Sequence, residues 1–204
     1  MAGCLVVPAC SSTPAPPYAE QVTADRATKD RAFAAESGSP IPAAARPQFL
    51  PLTYFAVDEG YRVPASLAPF EGEPAVEMPT STGKRRAMRR AGRLQFSIKG
   101  QPLTLTAFVE ADDRQMARLF LPFADQTNGT ETYAAGRYLD LDRTATGLYD
   151  LDFNRAYHPY CYYNPEYDCP YPPRENRLAV PIRSGERTGR VPGHEPAAPA
   201  QPQP

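Results

Sequence analysis

The spacing of apolar residues changes partway along the chain. From Glu20 to Glu36 the sequence EQVTADRATKDRAFAAE is rich in alanine and charge and lacks Gly and Pro. Such a run predicts a helix. Its apolar side is thin, consisting of Val22, Ala27, Phe33 and Ala34, so the helix should lie on the outside of the body and insert mainly Phe33. Ser37-Gly38-Ser39-Pro40 ends it. After Pro51 the period drops to two. Thr53 to Val57 and Tyr61 to Val63 predict short strands joined by an Asp58-Glu59-Gly60 turn. Leu94 to Lys99 and Leu103 to Val109 alternate cleanly around Gly100-Gln101-Pro102. Arg118 to Phe123, Thr132 to Leu141, Leu148 to Phe153 and Leu178 to Ile182 follow. Short strands at regular spacing behind one helix predict a mainly β fold, an antiparallel barrel or split-barrel-like single domain with one N-terminal helix. The inward set would be Phe55, Val57, Leu94, Phe96, Ile98, Leu103, Leu105, Phe108, Leu119, Leu121, Tyr138, Leu151, Phe153 and Val180.

Composition then bounds the body. The chain has 204 residues, room for one domain with a real core. Pro accounts for 25 of them, with an excess at the two ends. Residues 1–17 read as a signal remnant and Pro-rich linker, 18–187 as the β-rich domain, and 188–204 as a disordered Pro-rich tail. A net charge of −1 gives no reason to expect a nucleic-acid partner. Leu5-Val6-Val7-Pro8-Ala9-Cys10-Ser11-Ser12 resembles the end of a lipoprotein signal, which would make Cys10 (or Cys4) the lipidated residue. The expectation is therefore a protein on the periplasmic face of a cell envelope, held to the membrane by an N-terminal lipid; a cytoplasmic location is the alternative. No segment reaches the apolar length needed to span a bilayer.

Candidate chemistry concentrates between residues 125 and 176. Six of the twelve tyrosines and five prolines fall between Asn154 and Asn176, an aromatic surface that has to be covered, as in the wall or lid of a site. Asn128-Gly129 marks a turn. A strand after it would put Glu131, Tyr133 and Arg137 on one face, able to bind a polar ligand, to act as acid and base, or simply to pair with each other. Asp150, Asp152 and Asn154 would share a second face, as a cation site or as turn caps. Cys161 and Cys169 fit a disulfide closing a small loop in an exported protein, with structural thiols or a Cys161–His158 nucleophile as alternatives. The basic run Lys84 to Arg93 reads first as a charged edge strand and second as an anion-attracting patch. The chain has no G-x-S-x-G elbow, phosphate-binding glycine loop or H-E-x-x-H motif, and neither cofactor nor metal is expected.

Three composite stretches carry a resemblance. They are Phe123-x-Asp125-x-Thr127-x-Gly129-x-Glu131-Thr132-Tyr133-x-x-Gly136-Arg137-Tyr138, Leu151-Asp152-Phe153-Asn154-x-Ala156-Tyr157-x-Pro159-x-Cys161, and Cys169-Pro170-x-Pro172-Pro173-x-Glu175-Asn176-Arg177-Leu178. With them the chain resembles a bacterial protein family, domain of unknown function family 1684, from Tyr18 to Glu186. The resemblance implies a compact, largely β fold and no established reaction. The expected function is a binding module for a small polar ligand. Its site would use Asp125, Thr127, Glu131, Tyr133, Arg137, Asp152, Asn154, Tyr157, His158 and Asn176, converging on one pocket lined by Tyr133 and Tyr157. A hydrolase with Glu131 or Asp152 as general base and a structural envelope protein are the alternatives.

Overall fold

The computed structural model describes residues 15–189, apart from 36, 73 and 114–116. One helix, α1 (Tyr18–Ala34), precedes a short turn of helix, α2 (Arg46–Phe49). Seven strands follow: β1 (Arg62–Pro69), β2 (Ala75–Pro79), β3 (Arg85–Ile98), β4 (Gln101–Glu110), β5 (Arg118–Phe123), β6 (Arg137–Asp142) and β7 (Leu148–Asp152). They form one antiparallel sheet in the order β6-β5-β4-β3-β1-β7, with β2 paired to the first half of β3.

The sheet curls until its two ends almost meet. The chain leaving β7 brings Tyr157 against Tyr138 of β6, where two backbone hydrogen bonds of 2.8 and 3.0 Å form an antiparallel bridge. The result is a nearly closed barrel. Alternation explains its filling: Leu94, Phe96 and Ile98 on β3 and Leu119, Leu121 and Phe123 on β5 point inward, where Leu151 and Phe153 meet them. Gly92 allows the close approach of β1 to β3, because a Cβ there would lie 2.7 Å from the Ala68 carbonyl oxygen. A register shift between Arg90 and Gly92 bends β3 at the same point.

A second layer lies outside the barrel wall. Phe33 of α1, Ile41, Phe49, Leu52, Tyr133, Tyr138, Tyr162, Tyr163 and both loop cysteines pack there as one cluster. The aromatic stretch is thus the filling between the barrel and the N-terminal segment. Phe33 meets Tyr163 edge-on at 5.6 Å, and Phe49 meets Tyr162 and Tyr163 at 5.5 and 5.4 Å.

Several expected elements change. Residues 53–57 do not form a hairpin arm; they lie against the C-terminal segment, with Phe55 N–H donating to Gly185 O. Asp58-Glu59-Gly60 begins a single 3-10 turn, capped by the Asp58 carboxylate. Residues 178–182 are a strap rather than a strand. Leu178 N–H donates to Ala124 O at 2.8 Å and Val180 O accepts from Gln126 N–H, which briefly continues the parallel bridge of Ala124 with Arg177. Beyond it Ile182 bonds to the side chains of Asp125 and Arg137, and Ala179 to that of Gln126. The expected strand from Thr132 begins only at Arg137, since residues 127–132 fold back on themselves through hydrogen bonds to Thr127 O. From Arg85 the basic run belongs to β3, which pairs with β2 on one side and, from Met88 onward, with β4 on the other, so most of the run is no edge. Among the described residues no helix is long and apolar enough to cross a membrane. Cys4, Cys10 and most of the tail lie outside them.

Candidate functional site

The residues expected to bind a ligand are brought into one half of the molecule, but most are used to hold it together. Arg137 and Asp125 are both fully buried and form an ion pair of 2.9 Å. The Arg137 guanidinium also donates to the carbonyls of Ser184, Ile182 (2.6 Å) and Glu186 (3.0 Å). Asp125 accepts from the amides of Thr127 (2.8 Å) and Ile182 (3.1 Å). Burial pulls the guanidinium pKa down and the neighbouring Asp125 opposes that shift. One arginine thus holds three carbonyls of the 182–186 strap, and Asp125 holds its first amide.

Thr127 is buried and bonded to the Thr132 hydroxyl at 2.8 Å. Asn176 is fully buried: its amide oxygen accepts from Thr106 N at 2.7 Å, and its nitrogen donates to Thr106 O and Pro122 O, both at 2.8 Å. Asp152 accepts from Tyr18 Oη at 2.7 Å and from the Asn154 amide at 3.0 Å, and Arg155 stands 3.2 Å away. Asn154 pins Asp58 through two hydrogen bonds of 3.0 and 2.9 Å. Asp150 points out to Arg62, so the two aspartates do not share a site. Among the described residues no three His, Cys, Asp or Glu side chains gather as metal ligands.

Glu131 is turned away from Arg137. It lies at the surface and pairs with Arg183 at 2.9 Å. Tyr133 packs on Tyr162 at 5.2 Å, whereas Tyr157 packs on Tyr138 at 5.8 Å. The expected convergence on one pocket lined by Tyr133 and Tyr157 does not occur, because residues 125–136 form turns whose side chains leave on different sides. Neither Glu131 nor Asp152 faces a cleft that contains the other candidates, so neither is placed as a general base.

His158 is buried beside Glu186, a residue that sequence pattern gave no reason to choose. The Glu186 carboxylate accepts from Lys29 Nζ (2.5 Å), the His158 amide (2.6 Å) and Tyr163 Oη (2.9 Å), and lies 3.6 Å from His158 Nδ1. The Tyr133 amide donates to His158 Nε2 at 3.3 Å, which assigns the imidazole proton to Nδ1. Burial, then Arg137 and Lys29, push the His158 pKa well below its usual value despite Glu186, whose charge is already matched by Lys29. The unfolded chain therefore takes up a proton near pH 6.5 that the folded chain refuses. Stability should be unaffected by this group above that pH and fall below it, by about 1.4 kcal/mol one pH unit lower. Denaturant titrations across that range should show the fall in wild type and a flatter profile in His158→Gln.

An opening with room for a small molecule lies between α1, β6 and the 157–170 loop. This cleft has a volume of about 580 Å³ and is walled by Phe33, Phe120, Tyr138, Tyr157, Tyr160 and Tyr167, with Lys29, Arg86, Glu110, Asp140 and Asp168 around it and Cys169 in its lining. Tyr160 and Tyr167 are 43% and 36% exposed and stack edge-on at 5.2 Å. They are two of the three exposed large apolar side chains among the described residues. Tyr157 Oη donates to Asp140 at 2.7 Å, which with burial keeps the phenol protonated. Lys29 sits over the rings of Phe33 and Tyr157 at 5.1 and 4.9 Å. Arg86 donates to Asp168 O at 2.7 Å and stands 3.6 Å from Glu110. A groove of about 800 Å³ beside Gln95–Ser97 and Glu175–Ala179 is larger, but its one ring, Phe96, is turned into the core.

The expected Cys161–Cys169 disulfide is not seen; the two stand as buried free thiols, the Cys161 amide donating to Cys169 Sγ at 3.2 Å.

A nearly closed antiparallel barrel with an aromatic outer layer and a strapped C-terminus defines the class. The family model for a protein of unknown function, DUF1684, matches residues 47–187, and the chain belongs to that family. The match begins after α1, so the helix contributing Phe33 and Lys29 to the cleft lies before it. The chain is also similar to the solution NMR structure of an uncharacterized protein from Haloarcula marismortui, with 38% identity over 83% of this chain and 93% of that one and a TM-score of 0.66. No match is found among curated proteins.

Proposed function

We propose that the protein binds a small polar ligand with a flat ring face in the cleft between α1, β6 and the 157–170 loop. The observation that carries this reading is the placing of Tyr160 and Tyr167. Exposed tyrosines scattered over a monomer's surface need no explanation, but here two stand together on the rim of a cleft that also offers partly exposed Lys29 and Arg86. Ring faces give contact area at low entropic cost, and the charged rim orients polar substituents. The site keeps the 152–176 loop of the sequence expectation and replaces the 125–137 segment by Tyr138 and Asp140 of β6.

Ligand-observed NMR with a panel of monosaccharides and nucleosides tests it. Saturation transfer to a ring compound in wild type, lost in Tyr160→Ala at unchanged melting temperature, is the expected result. Native mass spectrometry of protein from its own host should show the same class of molecule retained. If no ring compound binds and nothing is carried through purification, the protein is a scaffold, the alternative favoured by its buried, self-paired polar residues. A location at the cell envelope is proposed on Leu5 to Ser12 alone; a lipid-sized mass on Cys10 in protein from the host would support it.

A further inference from the structure

We propose that Cys169 and Cys161 form a thiol–disulfide exchange pair opening onto the aromatic cleft, with Cys169 the attacking sulfur and Cys161 the resolving one. The inference rests on the placement of the two thiols and is independent of ligand binding in the cleft.

Three features of the geometry point this way. Cys169 is in the lining of the cleft, whereas Cys161 lies behind it against Tyr133, whose hydroxyl is 4.0 Å from Cys161 Sγ. Of the two residues only Cys169 lines the cleft. Next, Cys169 Sγ accepts the Cys161 amide at 3.2 Å, and the Arg86 guanidinium adds positive charge nearby, partly offset by Asp168. These are the conditions that favour a thiolate. Finally, the main chain of Cys169 is fixed by Ser81 on both sides, Cys169 N–H donating to Ser81 Oγ at 3.0 Å and Ser81 N–H to Cys169 O at 2.9 Å. Cys161 sits in a single 3-10 turn, Tyr160–Tyr162, outside any ladder, so a small movement that joins the sulfurs breaks no sheet.

The thiol acidities agree. Hydrogen bonding from Cys161, opposed by burial, lowers the Cys169 thiol. Donating that bond, together with burial, pushes the Cys161 thiol up. A lowered thiol on the residue that lines the cleft and a raised one behind it separate nucleophile from reserve.

With a low-molecular-weight disulfide as oxidant the chemistry balances. The Cys169 thiolate attacks one sulfur of glutathione disulfide, the S–S bond breaks, and one glutathione leaves as thiolate. Cys161 then gives its proton to that leaving thiolate, and its sulfur attacks the Cys169 sulfur of the mixed disulfide, expelling the second glutathione. Two protein thiols are oxidised and one glutathione disulfide is reduced to two thiols.

The test uses the full chain carrying Cys4→Ser and Cys10→Ser, since the sequence has four cysteines. Exposed to glutathione disulfide under native conditions, this protein should lose two hydrogens in intact mass and keep no adduct. Adding Cys161→Ser should trap one glutathione on Cys169; adding Cys169→Ser should leave Cys161 unmodified. Adduct formation at equal rates in both variants, or reaction only in denaturant, overturns the proposal. Should either variant fail to fold, iodoacetamide labelling of the parent decides. Cys169 should react first, with a midpoint below the ordinary thiol value. Reaction first at Cys161, or a midpoint at the ordinary thiol value of about 8.5, would leave two inert structural thiols.

Discussion

Arg137→Met should lower the free energy of unfolding by about 3–5 kcal/mol, because it strands a buried Asp125 carboxylate and removes the donors to the carbonyls of Ile182, Ser184 and Glu186. Both members of the ion pair are sealed from solvent, so no water takes over the lost bonds. Denaturant unfolding checks this: the midpoint should fall sharply. Pairing the change with Asp125→Leu should restore part of the loss, since the stranded charge goes with it. A loss below about 1 kcal/mol, the range of surface pairs, would show that the strap is held by something other than Arg137.

Asn176→Ala should cost about 3 kcal/mol, for a different reason. β4 and β5 are paired through a single residue pair, Phe108 with Phe120, and Pro122 has no amide to extend the ladder. The Asn176 side chain fills that gap with three hydrogen bonds, two to Thr106 and one to Pro122. Its removal leaves an amide and two carbonyls buried without partners, each worth about 1–3 kcal/mol before relaxation or water entry. Denaturant unfolding reads the total, and amide exchange at Thr106 should accelerate more than at neighbouring β4 positions. Unchanged exchange at Thr106 would mean that the ladder closes without the asparagine.

The two changes also explain what could be read from the chain and what could not. Alternation in Leu94–Ile98, Leu103–Val109 and Arg118–Phe123 marked strands that exist, and the helix was placed within two residues at each end. Those patterns are local, and local periodicity is what a one-dimensional sequence displays. β2 was missed because Ala75–Pro79 is short and half exposed, and it is held by pairing with β3 rather than by its own pattern. Leu178–Ile182 looked like a strand but serves as a strap, since whether an extended segment bonds to a ladder or to Arg137 depends on a contact over forty residues away.

The polar residues were found but their partners were not. Asp125, Arg137, Asp152, Asn154 and Asn176 stood out because polar side chains among tyrosines and prolines need a reason; the reason is burial with hydrogen bonds, not an opening to solvent. Even spacing suggested Glu131 and Arg137 on one face, yet the turn at 127–136 breaks the alternation on which that inference depends. Glu186 had no local signal at all, being defined by Lys29 of the helix and His158 and Tyr163 of the loop. The cleft likewise joins α1, β3, β6 and the loop, a juxtaposition visible only once the sheet has closed.

The bridge between Tyr138 and Tyr157 has a consequence for association between molecules. A closed barrel offers no free edge to a neighbour, but this one is shut along its last line by two backbone hydrogen bonds. If that line parted, β6 and the segment after β7 would both become templates for adding a foreign strand. The chain beside it is a poor template. Pro159, Pro170, Pro172 and Pro173 supply no amide hydrogens, and the Tyr160–Tyr162 turn cannot lie flat along an edge. The proline-rich loop thus shields this closing line of the barrel from cross-molecule pairing, and a chain without those prolines would fold to the same barrel but be prone to join its neighbours.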